Sequence, residues 1–143
     1  MKAIRFSGRL WKDGKTWLVE VPALDAMTQG HTRKEALRMI ADYIKTAVDR
    51  PTFKVSVIDS DGEGIFVVST QVGAMVALML RRQREARGLT LTQVARRLGQ
   101  RSPNAYARYE QGVSVPTVDK LAELMDALAP GQGLELTPPS ARH

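Results

Sequence analysis

Eight arginines crowd residues 81–108: Arg81, Arg82, Arg84, Arg87, Arg96, Arg97, Arg101 and Arg108, opposed by Glu85 alone. A local excess of positive charge attracts a polyanion, and guanidinium forks can grip phosphate or the edge of a guanine. Asn104 lies within the same stretch, and its amide, which donates and accepts at once, suits an adenine edge. Arg101 or Arg108 suits guanine. Ser102 and Tyr106 carry hydroxyls able to add phosphate contacts, and Arg96 and Arg97 precede them where a phosphate backbone would pass. Charge density alone is equally compatible with a solvated helix face. The elements around these residues must decide.

Catalysis has no comparable constellation. Cysteine is absent, which removes disulfides, thiolate metal sites and a cysteine nucleophile. His31 follows Gly30 at a helix entrance and reads as a surface residue, and His143 is terminal. Glu20, Asp25, Asp42 and Asp49 could in principle assemble a nuclease-type metal set, but their spacing does not demand it. Asp42 and Asp49 lie two turns apart on one helix face, as solvated charges do. The acidic turn Asp59-Ser60-Asp61-Gly62-Glu63-Gly64 is shorter than the roughly twelve residues of an EF-hand loop. No catalytic residue, metal ligand or cofactor is therefore expected, and the chain reads as a binding protein rather than an enzyme.

The positioning elements change character along the chain. In the first half Ile4, Phe6, Gly8 and Leu10 alternate with Arg5, Ser7 and Arg9, the period of a half-buried strand. Asp13-Gly14 marks a hairpin turn, and Trp17, Val19 and Val21 form the returning strand. Trp11 and Trp17 suit a core or an interface. A short third strand over Met27–Gln29 precedes a helix whose Thr32 and Glu35 have capping-box spacing. Ala36, Leu37, Ile40, Ala41, Ile44, Ala47 and Val48 make its apolar stripe. Phe53, Val55 and Val57 alternate, and Ile65–Val68 is a β-branched run. The pattern is β-β-β-α-β-β, an antiparallel sheet with one helix on one face.

From Gln71 the strand signal ends. Val72, Val76, Met79 and Leu80 form a helical stripe stopped at Gly88. Thr90 and Gln93 cap a short helix bearing Val94, Ala95 and Leu98. Ser102 and Pro103 open the next helix, with Pro at its first turn. Pro116-Thr117 starts a last one carrying Val118, Leu121, Leu124, Met125 and Leu128, and from Pro130 the composition is that of a frayed tail. The fold class is α+β: a unit over 1–69, then an all-α unit over 70–143. Two short helices around a tight turn, over 90–98 and 102–111, place the second in a major groove while the first crosses the backbone.

With 43% hydrophobic and 25% charged residues the chain is in the soluble globular range. No apolar run reaches the ~18 residues that span a bilayer, and the N-terminus lacks the apolar block of a secretory signal. A cytoplasmic location is expected. Two small units without disulfides have modest cores, so a homodimer or larger homo-oligomer is a natural way to bury more surface.

The run Arg84–Leu128 resembles the lambda-repressor-like (XRE-type) helix-turn-helix. The matching pieces are Arg84-Glu85-Ala86-Arg87-Gly88-Leu89-Thr90, Val94-Ala95 with Leu98-Gly99, and Tyr109-Glu110-Gln111-Gly112 with Pro116. The resemblance implies that Arg84 and Glu110 form a buried structural pair. Two departures stand out. One extra residue separates Gly99 from Gly112, and Leu91 occupies a position where the family often has a phosphate-binding Gln.

The first half also resembles HicB antitoxins, through Val21-Pro22, Thr28-Gln29-Gly30-His31-Thr32 and Glu35-Ala36-Leu37. That resemblance implies a truncated ribonuclease-H-like domain without activity that masks a small HicA-like mRNA-cleaving toxin. It further implies a C-terminal domain that binds double-stranded operator DNA as a dimer or larger assembly and represses its own operon. Without the toxin, the same layout suits a stand-alone repressor whose N-terminal unit senses a ligand or dimerises.

Overall fold

The computed structural model describes residues 1–60 and 62–137; Asp61 of the acidic turn and the terminal His143 lie outside the described residues. Strands β1 (Ile4–Asp13) and β2 (Thr16–Val21) form a hairpin closed by the Asp13–Thr16 pair. A 3-10 turn (Pro22–Leu24) leads to β3 (Ala26–Gly30), α1 (Arg33–Val48) crosses, and β4 (Ser56–Asp59) and β5 (Gly64–Ser69) complete the sheet. The strand order is β3-β2-β1-β5-β4, and every neighbouring pair is antiparallel.

The expected alternation of β1 holds. Leu10 is buried and Ile4 and Phe6 are half-buried toward the helices, while Arg5, Ser7 and Arg9 face out. Trp11 lies on that outer face beneath Arg9, whose guanidinium sits 4.3 Å from the ring centre. Trp17 points to the helix side between Lys12 and Arg33.

Helix α1 starts where its cap says it should. The Thr32 hydroxyl accepts from the Glu35 N–H at 3.0 Å, satisfying a donor left over by the helix start. Gly30 is required just before it: a Cβ there would stand 2.6 Å from the Ala36 nitrogen. The strand end and the first helical turn can touch only because that side chain is missing. Ala36, Ile40 and Ile44 then press into the sheet.

The strand expected from Phe53 begins later, at Ser56. Phe53 is nonetheless buried. Its neighbour Lys54 is tied by side chains instead of a ladder: its N–H donates to Gln71 Oε1 at 2.7 Å and its carbonyl accepts from Ser69 Oγ at 2.7 Å.

Helices α2 (Val72–Ala86), α3 (Leu91–Arg97), α4 (Asn104–Glu110) and α5 (Val118–Leu128) follow. Helix α2 differs from the one-sided stripe expected of it: Ala74, Met75, Val76, Ala77, Leu78, Met79 and Leu80 are all buried. A helix apolar all round must be covered all round, and α2 packs on α1 and the 3-10 turn on one side and on α4 and α5 on the other. Strand β5 ends at Ser69, and a single buried cluster runs from Leu10 to Leu128 across the expected boundary near 69–70. Among the described residues no helix is long and apolar enough to cross a membrane.

Candidate nucleic-acid interface

The second half is organised by one ion pair. Arg84, in the last turn of α2, donates from Nε and Nη2 to the two carboxylate oxygens of Glu110 at 2.7 and 3.0 Å. Its Nη1 donates to the Leu89 carbonyl at 2.9 Å. The side chains are only 16% and 6% exposed. One guanidinium therefore fixes the end of α2, the turn into α3 and the end of α4. The bond to Glu110 holds the Arg84 guanidinium above its already high ordinary range, against the opposing effect of burial. The buried structural pair implied by the resemblance is present.

Helix α3 carries a full capping box: Thr90 Oγ1 accepts from the Gln93 N–H at 3.1 Å, and Gln93 Oε1 accepts from the Thr90 N–H at 2.8 Å. Val94 and Ala95 face inward, while Gln93, Arg96 and Arg97 border a shallow depression on the outer side. Leu98–Pro103 forms the turn. Helix α4 begins at Asn104, two residues later than expected, with the Ser102 hydroxyl accepting the Asn104 N–H at 3.2 Å. Ser102 is thus a start signal for α4 as well as an exposed hydroxyl.

Arg101, Ser102, Asn104, Ala105 and Arg108 are exposed. Asn104, Ala105 and Arg108 share a face by helical spacing, with Arg101 just ahead of the first turn. Asn104, Arg101 and Arg108, the residues expected to suit base edges, are thus exposed, on and just ahead of a helix anchored at its far end by Glu110.

Tyr106 corrects the expectation made for it. It is fully buried, so it cannot touch a phosphate; it is the pin that seats α4 on the bundle. At helical spacing, position 106 points opposite to the exposed face. Burial, reinforced by the nearby Glu110 carboxylate, pushes its phenol far above the ordinary tyrosine range. The hydroxyl reaches hydrogen-bonding geometry with no neighbour.

Arg97 donates from Nη1 to the Ala127 carbonyl at 2.9 Å, bracing α5. Arg81 and Arg82, counted in the basic run, are likewise turned inward. Arg81 donates to the Ala47 carbonyl at 2.6 Å. Arg82 donates to the carbonyls of Leu24 and Asp25 and to the Tyr43 hydroxyl at 3.1, 2.7 and 2.8 Å. The outward charge of the α3–α4 surface is carried by Arg96, Arg101 and Arg108, with Arg97 at its edge. Leu91, at the departure from the family pattern, is half-buried and packs against the core.

Residues 76–135 match the family model of a helix-turn-helix domain. The chain carries a helix-turn-helix domain. The match spans α2 from Val76 through α5, the region that the Arg84–Glu110 pair organises. A search of curated proteins returns no match. Such a domain is a sequence-specific DNA-binding unit of a transcriptional regulator.

Sequence reasoning missed Arg50. It sits just past α1, and its Nη2 donates to the Gln111 carbonyl at the end of α4. Gly112, at φ 74°, leaves room for that guanidinium, since a Cβ there would lie 2.6 Å from it. No local pattern marks Arg50, because its partner is sixty-one residues away. Between α1, α2 and α4 lies an open cleft of about 300 Å³ whose walls include Ala74, Ala77, Leu78, Arg50 and Arg81.

The carboxylates once weighed as a metal set are dispersed. Asp25 and Asp49 occupy left-handed positions that end the 3-10 turn and α1. Among the described residues no three His, Cys, Asp or Glu side chains group around a common point.

Proposed function

We propose that this chain is a repressor and antitoxin. It binds double-stranded operator DNA through α4 as a homodimer or larger assembly, neutralises a HicA-like mRNA-cleaving toxin through its N-terminal sheet and helix, and catalyses nothing itself. The observation that carries the DNA half is the exposed Asn104–Arg108 face on a helix clamped from behind by Arg84 and Glu110. Support for the toxin half is the sheet-helix unit ahead of it, with Gly30 against the backbone of Ala36 and Thr32 capping the helix. That geometry gives a physical reason for the Gly-x-Thr-x-x-Glu-Ala-Leu string on which the HicB resemblance rests.

The DNA half is tested by selecting duplexes from a random-sequence pool with the full chain. Enrichment of one motif, lost steeply with added salt, is expected; no enrichment at moderate salt refutes it. The toxin half is tested by co-purifying the chain with the product of the adjacent gene and assaying RNA cleavage with and without it. The cleft between the units favours a second reading, a stand-alone repressor that senses a small ligand there. An adjacent gene product that neither binds the chain nor cleaves RNA would leave that reading in possession.

A further inference from the structure

The cleft between α1, α2 and α4 encloses about 300 Å³, enough for a small molecule. Much of its lining is apolar: Ala74, Ala77 and Leu78 of α2 are buried there, and Ala47, Leu91 and Ala107 extend the walls. Arg50 and Arg81 line it as well. Each is tethered to a neutral acceptor, Arg50 to the Gln111 carbonyl and Arg81 to the Ala47 carbonyl at 2.6 Å, so neither charge is cancelled there. Among the described residues no carboxylate pairs with Arg50. Glu85 approaches Arg81 only to 3.8 Å, with both side chains well exposed. The remaining charged wall residue, Glu110, has both carboxylate oxygens taken by Arg84. The cleft is an apolar space beside two guanidiniums whose charge is poorly balanced.

We propose that this cleft binds a small organic acid, a carboxylate on a compact apolar body, and that the bound acid tightens the hold of α4 on DNA. A guanidinium offers five donors in a fork that matches a carboxylate, and its bond to a carbonyl leaves others to give. The hydrocarbon body covers Leu78 and the alanines, removing apolar surface from water. Inorganic phosphate would leave that surface uncovered, and a neutral apolar molecule would desolvate the guanidiniums without pairing them. The acid would touch α1, α2 and α4 at once, because α4 lends Ala107, Glu110 and Gln111 to the wall. A ligand that fits this arrangement stabilises it, and with it the seat of α4. Acid and DNA then raise each other's affinity by the same factor. The effect on DNA rests on the reading of α4 as the DNA-reading helix, and it gives the ligand-sensing alternative a ligand class and a sign.

The test is a titration of the full chain with phenylacetate and with hexanoate, followed by backbone amide chemical shifts, with phenylacetamide and acetate as controls. Saturable shifts are expected at residues 47–50, 74–81 and 107–112, with a dissociation constant of about 1 mM or tighter. None is expected at Gln93 and Arg96, which border the other basic depression, and none with either control. Arg50→Gln, which removes one charge, should weaken binding by about tenfold or more. Ala107→Leu, which keeps both guanidiniums and fills the space, should abolish it; should Arg50→Gln fail to fold, Ala107→Leu decides. Absence of saturable shifts at the cleft, an equal response to phenylacetamide, or unchanged affinity in a folded variant overturns the site. Saturating phenylacetate should tighten binding of the selected duplex by about fivefold or more, and unchanged or weaker binding overturns the coupling. Acid held in the cleft of a chain that selects no DNA motif refutes the reading of α4 and leaves the site; a selected motif without acid binding does the reverse.

Discussion

Arg81, Arg82 and Arg84 on α2 and Arg96, Arg101 and Arg108 on the α3–α4 surface are the same residue in the same stretch of sequence, with opposite employment. Arg81, Arg82 and Arg84 turn inward to backbone carbonyls, a phenol and a carboxylate. Arg96, Arg101 and Arg108 turn outward. A fork of donors is well suited to both tasks, since it can gather orphan carbonyls inside a fold as readily as phosphates outside it. Net charge along a sequence therefore overstates the surface that a polyanion meets, and the difference between the two groups can be broken by substitution.

The largest effect is expected at Arg84. Arg84→Ala leaves the Glu110 carboxylate buried without its partner and should cost about 3–5 kcal/mol, read as a large fall in the thermal midpoint. Arg84→Met with Glu110→Leu should recover most of that loss, because the second change removes the stranded charge. Arg82→Ala, which frees two carbonyls and the Tyr43 hydroxyl, should cost on the order of 2 kcal/mol and is checked by chemical denaturation.

The outer group should behave in the opposite sense. Asn104→Ala should leave stability within about 0.5 kcal/mol while relaxing base choice at one position of the selected site by roughly 1–3 kcal/mol. Arg96→Ala should weaken all sequences alike and lower the slope of log affinity against log salt by about 1. A loss of stability in either outer variant, or a change of base choice with normal folding in Arg82→Ala, would erase the distinction between the groups.

The smallest effect belongs to Tyr106. Its phenol is raised in the folded state, so the stability it lends is whole below the ordinary tyrosine pKa of about 10 and drains away as pH climbs beyond it. Tyr106→Phe should change stability by less than about 1 kcal/mol at neutral pH and flatten the alkaline limb of the stability–pH curve. An unaltered alkaline limb would show that burial of this hydroxyl is not what the curve reports.

Local signals were legible and distant ones were not. The strand order along the chain, the Thr32 and Thr90 caps, the Arg84–Glu110 pair and the exposed Asn104 could all be read, because each depends on a period, a cap or a family pattern. Tyr106 was misread: it lies on the same seven-residue helix as Asn104 and Arg108, and residue type alone does not say which face is inward. Helix α2 was half read. Its apolar run Val72–Leu80 was visible, but a stripe and an all-round coat differ only by the presence of a second neighbour. Arg50 gave no signal at all, since a carbonyl acceptor can belong to any residue.

That coat on α2 has a consequence for how the molecule could be taken apart. A cut between Ser69 and Gln71 would uncover the side of α1 and the 3-10 turn that α2 covers, and leave Ala74, Met75 and Leu78 bare on the other fragment. Neither piece should be obtainable as a soluble, ordered body. Amide hydrogens of residues 74–80 should exchange with solvent only when the whole chain opens. A load placed on α1 is then felt at α4, because the two helices rest on one beam.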